Sequence, residues 1–194
     1  MIKTPPREKY HRILAAAIKV ISANGLEKTK ISDIVKEAGV AQGTFYLYFS
    51  SKNALIPAIA SELLEKLLLE IKQKTHCNLS FWDALHTVIE VTFNVTKSYQ
   101  NVLVLCYSGF ALNCSFEIWE KTYNPYYEWF EEQVYNAQQR GEILPHHNVK
   151  RTVSMIINLI EDSAERLYLF RAQEGSIEDI KRDLFLFIKN ALTK

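Results

Sequence analysis

The sequence predicts an all-α protein in two parts: a small N-terminal module of three helices and a larger C-terminal body of long ones. Three observations carry that expectation. Only 6 glycines and 5 prolines occur in 194 residues, and they fall between segments of regular apolar spacing. Within those segments apolar residues recur three and four apart, the period of a helix with one buried face. Residues 31–49 read as two short helices joined by a tight turn.

The elements follow in chain order. Pro5 and Pro6 open the first helix, where proline is tolerated in the first turn. Tyr10, Ile13, Leu14, Ala17 and Ile21 form its stripe, and Asn24-Gly25 ends it. Ile31, Ile34, Val35 and Ala38 give the next, short helix one apolar face, and Gly39 stands where a left-handed stop favours glycine. Val40 anchors the turn, and a further helix begins at Ala41 or Gln42. Its apolar positions, Phe45 and Phe49, are four apart on one side. The other side offers Gln42, Gly43, Thr44, Tyr46 and Tyr48, small or hydrogen-bonding residues without charge. An ordinary solvated face is not built that way. A helix-turn-helix is: one face packs while the N-terminal end of the second helix reads base edges.

These residues resemble the tetracycline-repressor family of bacterial transcription regulators. The run Gly39-Val40-x-x-Gly43-Thr44-Phe45-Tyr46-x-Tyr48-Phe49, followed by Lys52-x-x-Leu55, carries the resemblance, which extends over about residues 7 to 56. Two positions depart from the family pattern. Lys30 stands where a Ser or Thr often caps the first motif helix, with Asp33 three residues on and Thr29 the nearest hydroxyl. Ala41 stands where Ser often caps the second. The resemblance implies that Lys52 meets a DNA phosphate, and Thr29 and Lys30 join it as expected contacts. The side chains themselves suggest the rest. Glutamine pairs bidentately with adenine, and tyrosine offers a hydroxyl to phosphate and a ring edge to a thymine methyl. Gln42 and Tyr46 are therefore the expected readers, with Thr44 and Tyr48 on phosphate or base, and Gly43 lets the backbone approach the groove. Lys28, Lys30 and Lys36 add long-range attraction.

Charge supports this division. Residues 1–54 hold nine Lys or Arg against four Asp or Glu, whereas the remainder holds fourteen against eighteen, so a net charge of +1 conceals a basic head on an acidic body. The expected boundary places the DNA-binding domain at 1–51 and the helical ligand-binding and dimerisation domain at 52–194. Cys77, Cys106 and Cys114 are widely spaced with no CxxC or CxxH pair, which suggests reduced thiols and neither zinc nor a disulfide framework. His86 and Glu90, four apart, lack a third ligand at suitable spacing, so no metal is expected. The polar, proline-containing Met1–Arg12 stretch is unlike a secretory signal. The apolar run Val102–Leu112 is too short to span a bilayer. A cytoplasmic protein without membrane partner or cofactor is the expectation.

In the body, a long helix runs from the Lys52 region to about Thr75, with Leu63, Leu64, Leu67, Leu68 and Ile71 on its buried side. Further helices are expected over Ser80–Tyr99 and 102–112, then along an aromatic stripe from Phe116 to Ala137 with a break at Asn124-Pro125. The last two span about 148–172 and 176–193, the latter opened by Ser176 and Asp179 as a capping box. Buried phenols and indoles need polar partners, so their concentration here favours a partly hollow cavity, and the resemblance implies a small-molecule pocket. Its candidate lining is Phe93, Tyr107, Phe110, Trp119, Tyr123, Tyr127, Asn158 and Asp162. Glu161, Asp162 and Glu165 interrupt an apolar helix, either as a solvated or salt-bridged face or with one carboxylate turned inward to receive a ligand amine. The run Leu184–Ile188 is apolar nearly all round its helix, which implies a partner. Ile156, Ile160, Leu167, Ile180, Leu184 and Phe187 are the expected homodimer interface.

The sequence therefore predicts a ligand-responsive, homodimeric DNA-binding regulator, a repressor released from a palindromic double-stranded operator by a small, apolar or aromatic effector. The alternative is an all-helical enzyme or interaction module without sequence-specific DNA binding. No phosphate loop, nucleophile elbow or paired Cys/His constellation favours an enzyme.

Overall fold

A computed structural model describes residues 7–75, 79–113, 116–170 and 175–193, with the side chains of 105–113 and 116–119 left out. Among the described residues eight helices follow one another: α1 Arg7–Asn24, α2 Ile31–Ala38, α3 Gln42–Tyr46, α4 Leu55–Lys74, α5 Phe81–Asn113, α6 Phe116–Gln139, α7 Val149–Tyr168 and α8 Ile177–Leu192. No strand occurs among the described residues. Pro5, Pro6 and the three cysteines fall outside the described residues or side chains.

Two compact units share these helices. The first comprises residues 1–63 and 99–115, the second 64–98 and 116–194. The division does not fall at residue 52, because Leu55, Ile56, Ile59, Leu63 and Val102 are buried in one core with Ile13, Ile34 and Phe45. Fully burying each such side chain contributes about 1.5–3 kcal/mol, so the start of α4 belongs physically to the head. Each unit thus draws on part of α4 and part of α5.

Helix α5 runs through the gap expected at 100–101. Tyr99, at φ −115° and ψ 17°, is the one non-helical residue between its two segments, and it stands where the chain passes between units. The break expected at Asn124-Pro125 does not occur: α6 continues through Pro125. An interior proline costs about 3 kcal/mol. Tyr123, Tyr126, Phe130, Val134 and Ala137 are all buried as one stripe on both sides of it, which offsets that cost. Asn124 does not cap a new helix; its Nδ2 donates to Glu128 Oε1 at 2.7 Å, one turn on.

Within the second unit, α7 packs against both α6 and α8. Ser176 opens α8 as expected, its Oγ accepting from Asp179 N at 3.1 Å. Phe81 N, at the start of α5, donates to Glu142 Oε2 at 2.6 Å, and Leu144 N donates to Leu192 O at 2.9 Å, tying the α6–α7 connection to two other helices.

The expected dimer residues divide by helix phase. Ile156, Ile160 and Leu184 are buried inside the subunit, with Ile157, Ala164 and Ile188. Leu167 and Ile180 are half-buried, and Phe187 alone of the set is exposed. A residue on this inner stripe cannot also meet a partner. The apolar surface left outward consists of Met155, Leu186 and Phe187, with Phe170 at the far end of α7.

Candidate functional site

The head is built around α2 and α3. Gly39 ends α2 at φ 63°, the left-handed region that favours glycine, and a Cβ there would lie 2.9 Å from Arg12 Nη2. That guanidinium donates to Ala38 O at 2.6 Å and Gly39 O at 3.3 Å, placing a cation on the negative end of α2. At the other end Lys30 has no oxygen with which to cap. Asp33 Oδ2 reaches back to accept from Lys30 N at 3.1 Å, which supplies half of a capping box. Ala41 caps α3 without a side-chain bond, and Thr44 N donates to Ala41 O at 2.9 Å.

Phe45 and Phe49 are buried, their rings 5.5 Å apart, and Phe49 stacks on Tyr10. This packing turns the opposite side of α3 outward. Gln42 and Gly43 are exposed, Tyr46 is half exposed, and Thr44 is partly so. Gly43 would meet nothing within 4 Å if it carried a Cβ. No contact inside the protein requires glycine there, although a helical glycine is about 1 kcal/mol less favourable than alanine. Tyr48 is turned partly inward, its ring 6.0 Å from that of Tyr10.

Two expected DNA contacts are used internally instead. Thr29 is buried, and its Oγ1 donates to Gly25 O at 2.7 Å, so it presents no hydroxyl to a phosphate. The Lys52 ammonium donates to Leu26 O at 2.6 Å, Thr29 O at 3.1 Å and Glu27 O at 3.5 Å. It fastens the chain just before α4 to the loop that precedes α2. Hydrogen bonds to a charged group contribute about 1.5–3 kcal/mol, so Lys52→Ala is expected to destabilise the head by that order, read as a lowered melting point. Unchanged melting, with the salt dependence of DNA binding flattened by about one ion, would instead assign the ammonium to a phosphate. Lys28, Lys30 and Lys36 remain exposed.

In the body, the structure brings some of the expected effector residues together. The Tyr123 and Tyr127 rings lie 5.7 Å apart, and Tyr123 is buried. Phe93 is wholly buried, with the Tyr168 ring at 6.3 Å and the Lys181 ammonium 5.8 Å above it. Tyr107, Phe110 and Trp119 lie outside the described side chains. Asn158 and Asp162 point away. Both are exposed, Asn158 reaching toward Ser154 at 3.4 Å and Asp162 pairing with Arg166 at 2.7 Å. Glu90 pairs with Lys181 at 2.8 Å. Among the described residues no group of three potential metal ligands assembles, and no helix is long and apolar enough to cross a membrane.

The carboxylate that does turn inward is Glu161. Its Oε1 and Oε2 accept from the Tyr123 hydroxyl at 3.2 and 3.1 Å. Burial, and then the neighbouring Glu165 carboxylate, push its carboxyl up to about 8 against the pull of the Tyr123 bond. Burial and the Glu161 charge raise the Tyr126 and Tyr127 phenols as well. The signal was present in the sequence: Ile157, Ile160, Glu161 and Ala164 share one stripe, so an acid lies on an apolar face. Asn158 and Asp162 are rotated by about 100° from Ile157 and Glu161 respectively.

Comparison with known proteins agrees with this architecture. Residues 13–59 match the family model described as bacterial regulatory proteins of the tetR family. Residues 85–192 match that of the tetracyclin repressor-like C-terminal domain. The uncharacterised HTH-type transcriptional regulator YvdT of Bacillus subtilis is 50% identical over 184 residues, which is 95% of each chain. The fatty acid metabolism regulator protein of the same organism is 33% identical over 103 residues, 51% of each chain. Among solved structures, FadR from Bacillus subtilis in complex with stearoyl-CoA superposes with a TM-score of 0.75 at 21% identity, covering 94% of this chain and 99% of that one. A transcriptional regulator from Saccharomonospora viridis in complex with choline gives 0.76 at 17% identity, covering 97% and 100%.

Proposed function

We propose, from the premise that this chain belongs to the tetracycline-repressor family and is a DNA-binding transcription regulator, that it acts as a homodimeric repressor released from a palindromic operator by a small molecule. The observation that carries the reading is the outward side of α3. Gln42, Gly43, Thr44 and Tyr46 form an uncharged, hydrogen-bonding surface on a head whose other side is packed around Phe45 and Phe49. Two such heads engage successive major-groove faces of one duplex.

The effector is received in the helical body beside the paired rings of Tyr123 and Tyr127, and its own body is apolar and ring-containing. Coupling runs through α4 and α5, the two helices that both units share. An effector that favours one arrangement of these helices lowers operator affinity by about 1–3 kcal/mol, and the operator lowers effector affinity by the same factor. Two structural neighbours hold ligands of opposite charge, stearoyl-CoA and choline, each with an apolar portion.

The test begins with an operator selected by the protein from random duplex DNA. Gln42→Ala and Tyr46→Ala are each expected to weaken it by about 1–3 kcal/mol without altering the melting point. Gly43→Ala carries opposite signs: a gain in head stability of up to about 1 kcal/mol, and a loss of operator affinity where the new methyl meets the groove. Gel-shift titrations beside thermal melts read both. Wild-type affinity in all three variants would remove α3 from the interface.

A further inference from the structure

Glu161 is an acid placed on the apolar side of α7 and facing α6. It is largely enclosed, with part of its surface still reachable. It accepts from a neutral phenol, the Tyr123 hydroxyl, and among the described residues no lysine, arginine or histidine forms an ion pair with it. The body's own enclosed cation does not fill that role, because the Lys181 ammonium is committed to Glu90 at 2.8 Å. Around the carboxylate stand the rings of Tyr123, Tyr126 and Tyr127. A second polar group nearby is also incomplete. Thr92 is 2% exposed, its hydroxyl interacts with the Tyr126 phenol, and its Oγ1 completes no hydrogen bond of good geometry.

An enclosed carboxylate without counter-charge is unfavourable, and proteins tolerate it only where a proton or a partner cation neutralises it. Aromatic faces add attraction for a cation and none for an anion. The missing complement of this cluster is positive charge on a group with little hydrogen-bonding demand. Tyr127 also lines a surface groove of about 370 Å³ with Glu120, Lys121 and Asn124.

We propose that Glu161, framed by Tyr123, Tyr126 and Tyr127, receives a cationic nitrogen of the effector, an amine or quaternary ammonium carried on an apolar body. This rests on the reading that the helical body binds a small molecule, and it chooses the charge of that molecule. Binding takes the carboxylate form. The groups that bear on Glu161 are Glu165 on α7 and the three phenols on α6, with Glu120 acting on Tyr127. With the free carboxyl held at about 8, cation affinity falls about tenfold for each pH unit below that point, and binding near pH 7 releases about one proton.

The probes are benzyltrimethylammonium, its neutral isostere neopentylbenzene, and stearoyl-CoA, titrated calorimetrically into the full chain and then into its complex with the selected operator. The cation is expected to bind at least tenfold more tightly than the isostere, and Glu161→Gln to erase that preference while leaving neopentylbenzene unchanged. Glu161→Asp keeps the charge and is expected to retain part of the preference, which guards against a misfolded glutamine variant. Equal affinity for cation and isostere, or a cation affinity in the wild type that ignores pH between 6 and 8, overturns the proposal. If stearoyl-CoA weakens operator binding while benzyltrimethylammonium neither binds nor acts, the body is an effector domain for anions and this proposal alone falls. If no probe alters operator binding, the effector reading falls with it.

Discussion

Between pH 5 and pH 8 the protein is expected to lose a few kcal/mol of stability, and Glu161→Gln to remove most of that loss. The Glu161 carboxyl is raised in the folded state from 4.5 to about 8, chiefly by burial. Between those two values the folded chain holds a proton that the unfolded chain has released, so rising pH favours unfolding. The stabilising proton is fully in place below pH 4.5 and is gone above about 8, which fixes the window and its sign. At about 1.36 kcal/mol per pH unit the upper limit is about 5 kcal/mol, reduced by the solvent that still reaches the group. Tyr126 and Tyr127 are raised from an ordinary 10.0 and stay protonated throughout this window. Asp179 is lowered from 3.8 by the Ser176 hydrogen bond and by Arg182, so it acts only in stronger acid and with the opposite sign. Urea unfolding at pH 5, 6.5 and 8, at fixed protein concentration, reads the slope. A flat wild-type profile, or a glutamine variant with the wild-type slope, would show that the carboxyl is solvated.

How much of this was legible in the sequence depended on whether a residue's role is set by its own helix or by a neighbour. The head was readable because its rules are local. Gly39 needs a left-handed backbone, Phe45 and Phe49 share a helix face, and Asn24-Gly25 stops α1. The internal bonds of Lys52 and Thr29 were not legible because their partners lie outside any helix periodicity, in the carbonyls of residues 25–29. In the body, the stripe Leu63 to Ile71 and the cap at Ser176 followed directly from spacing. The break at Pro125 did not, because burial on both sides of the proline outweighs a local penalty. Effector residues chosen by chemical type split by helical phase: Tyr123 and Tyr127 meet on α6, whereas Asn158 and Asp162 rotate outward and leave Glu161 inside.

By the same helical phase we expect the dimer surface on the outward sides of α7 and α8, which changes the substitution that tests it. Leu184 is buried against its own subunit at 7% exposure, so Leu184→Glu would place a charge in the fold and report misfolding rather than assembly. Phe187, at 65%, and Met155, at 69%, have little of their own subunit to lose. Together with Leu186 on α8 they are large apolar side chains left outward, and we propose that a second copy of the chain covers them. Phe187→Glu leaves the inner stripe of Leu184, Ile188 and Leu192 intact while setting two carboxylates into the subunit interface. The expected result is a folded monomer with unchanged helical signal and melting transition. Operator affinity falls by about 10²- to 10⁴-fold, because one head then binds without the second half-site tethered beside it. Sedimentation at micromolar concentration and operator titration measure the two effects together. A variant that remains dimeric with wild-type operator affinity would place the subunit contact on another face of the body.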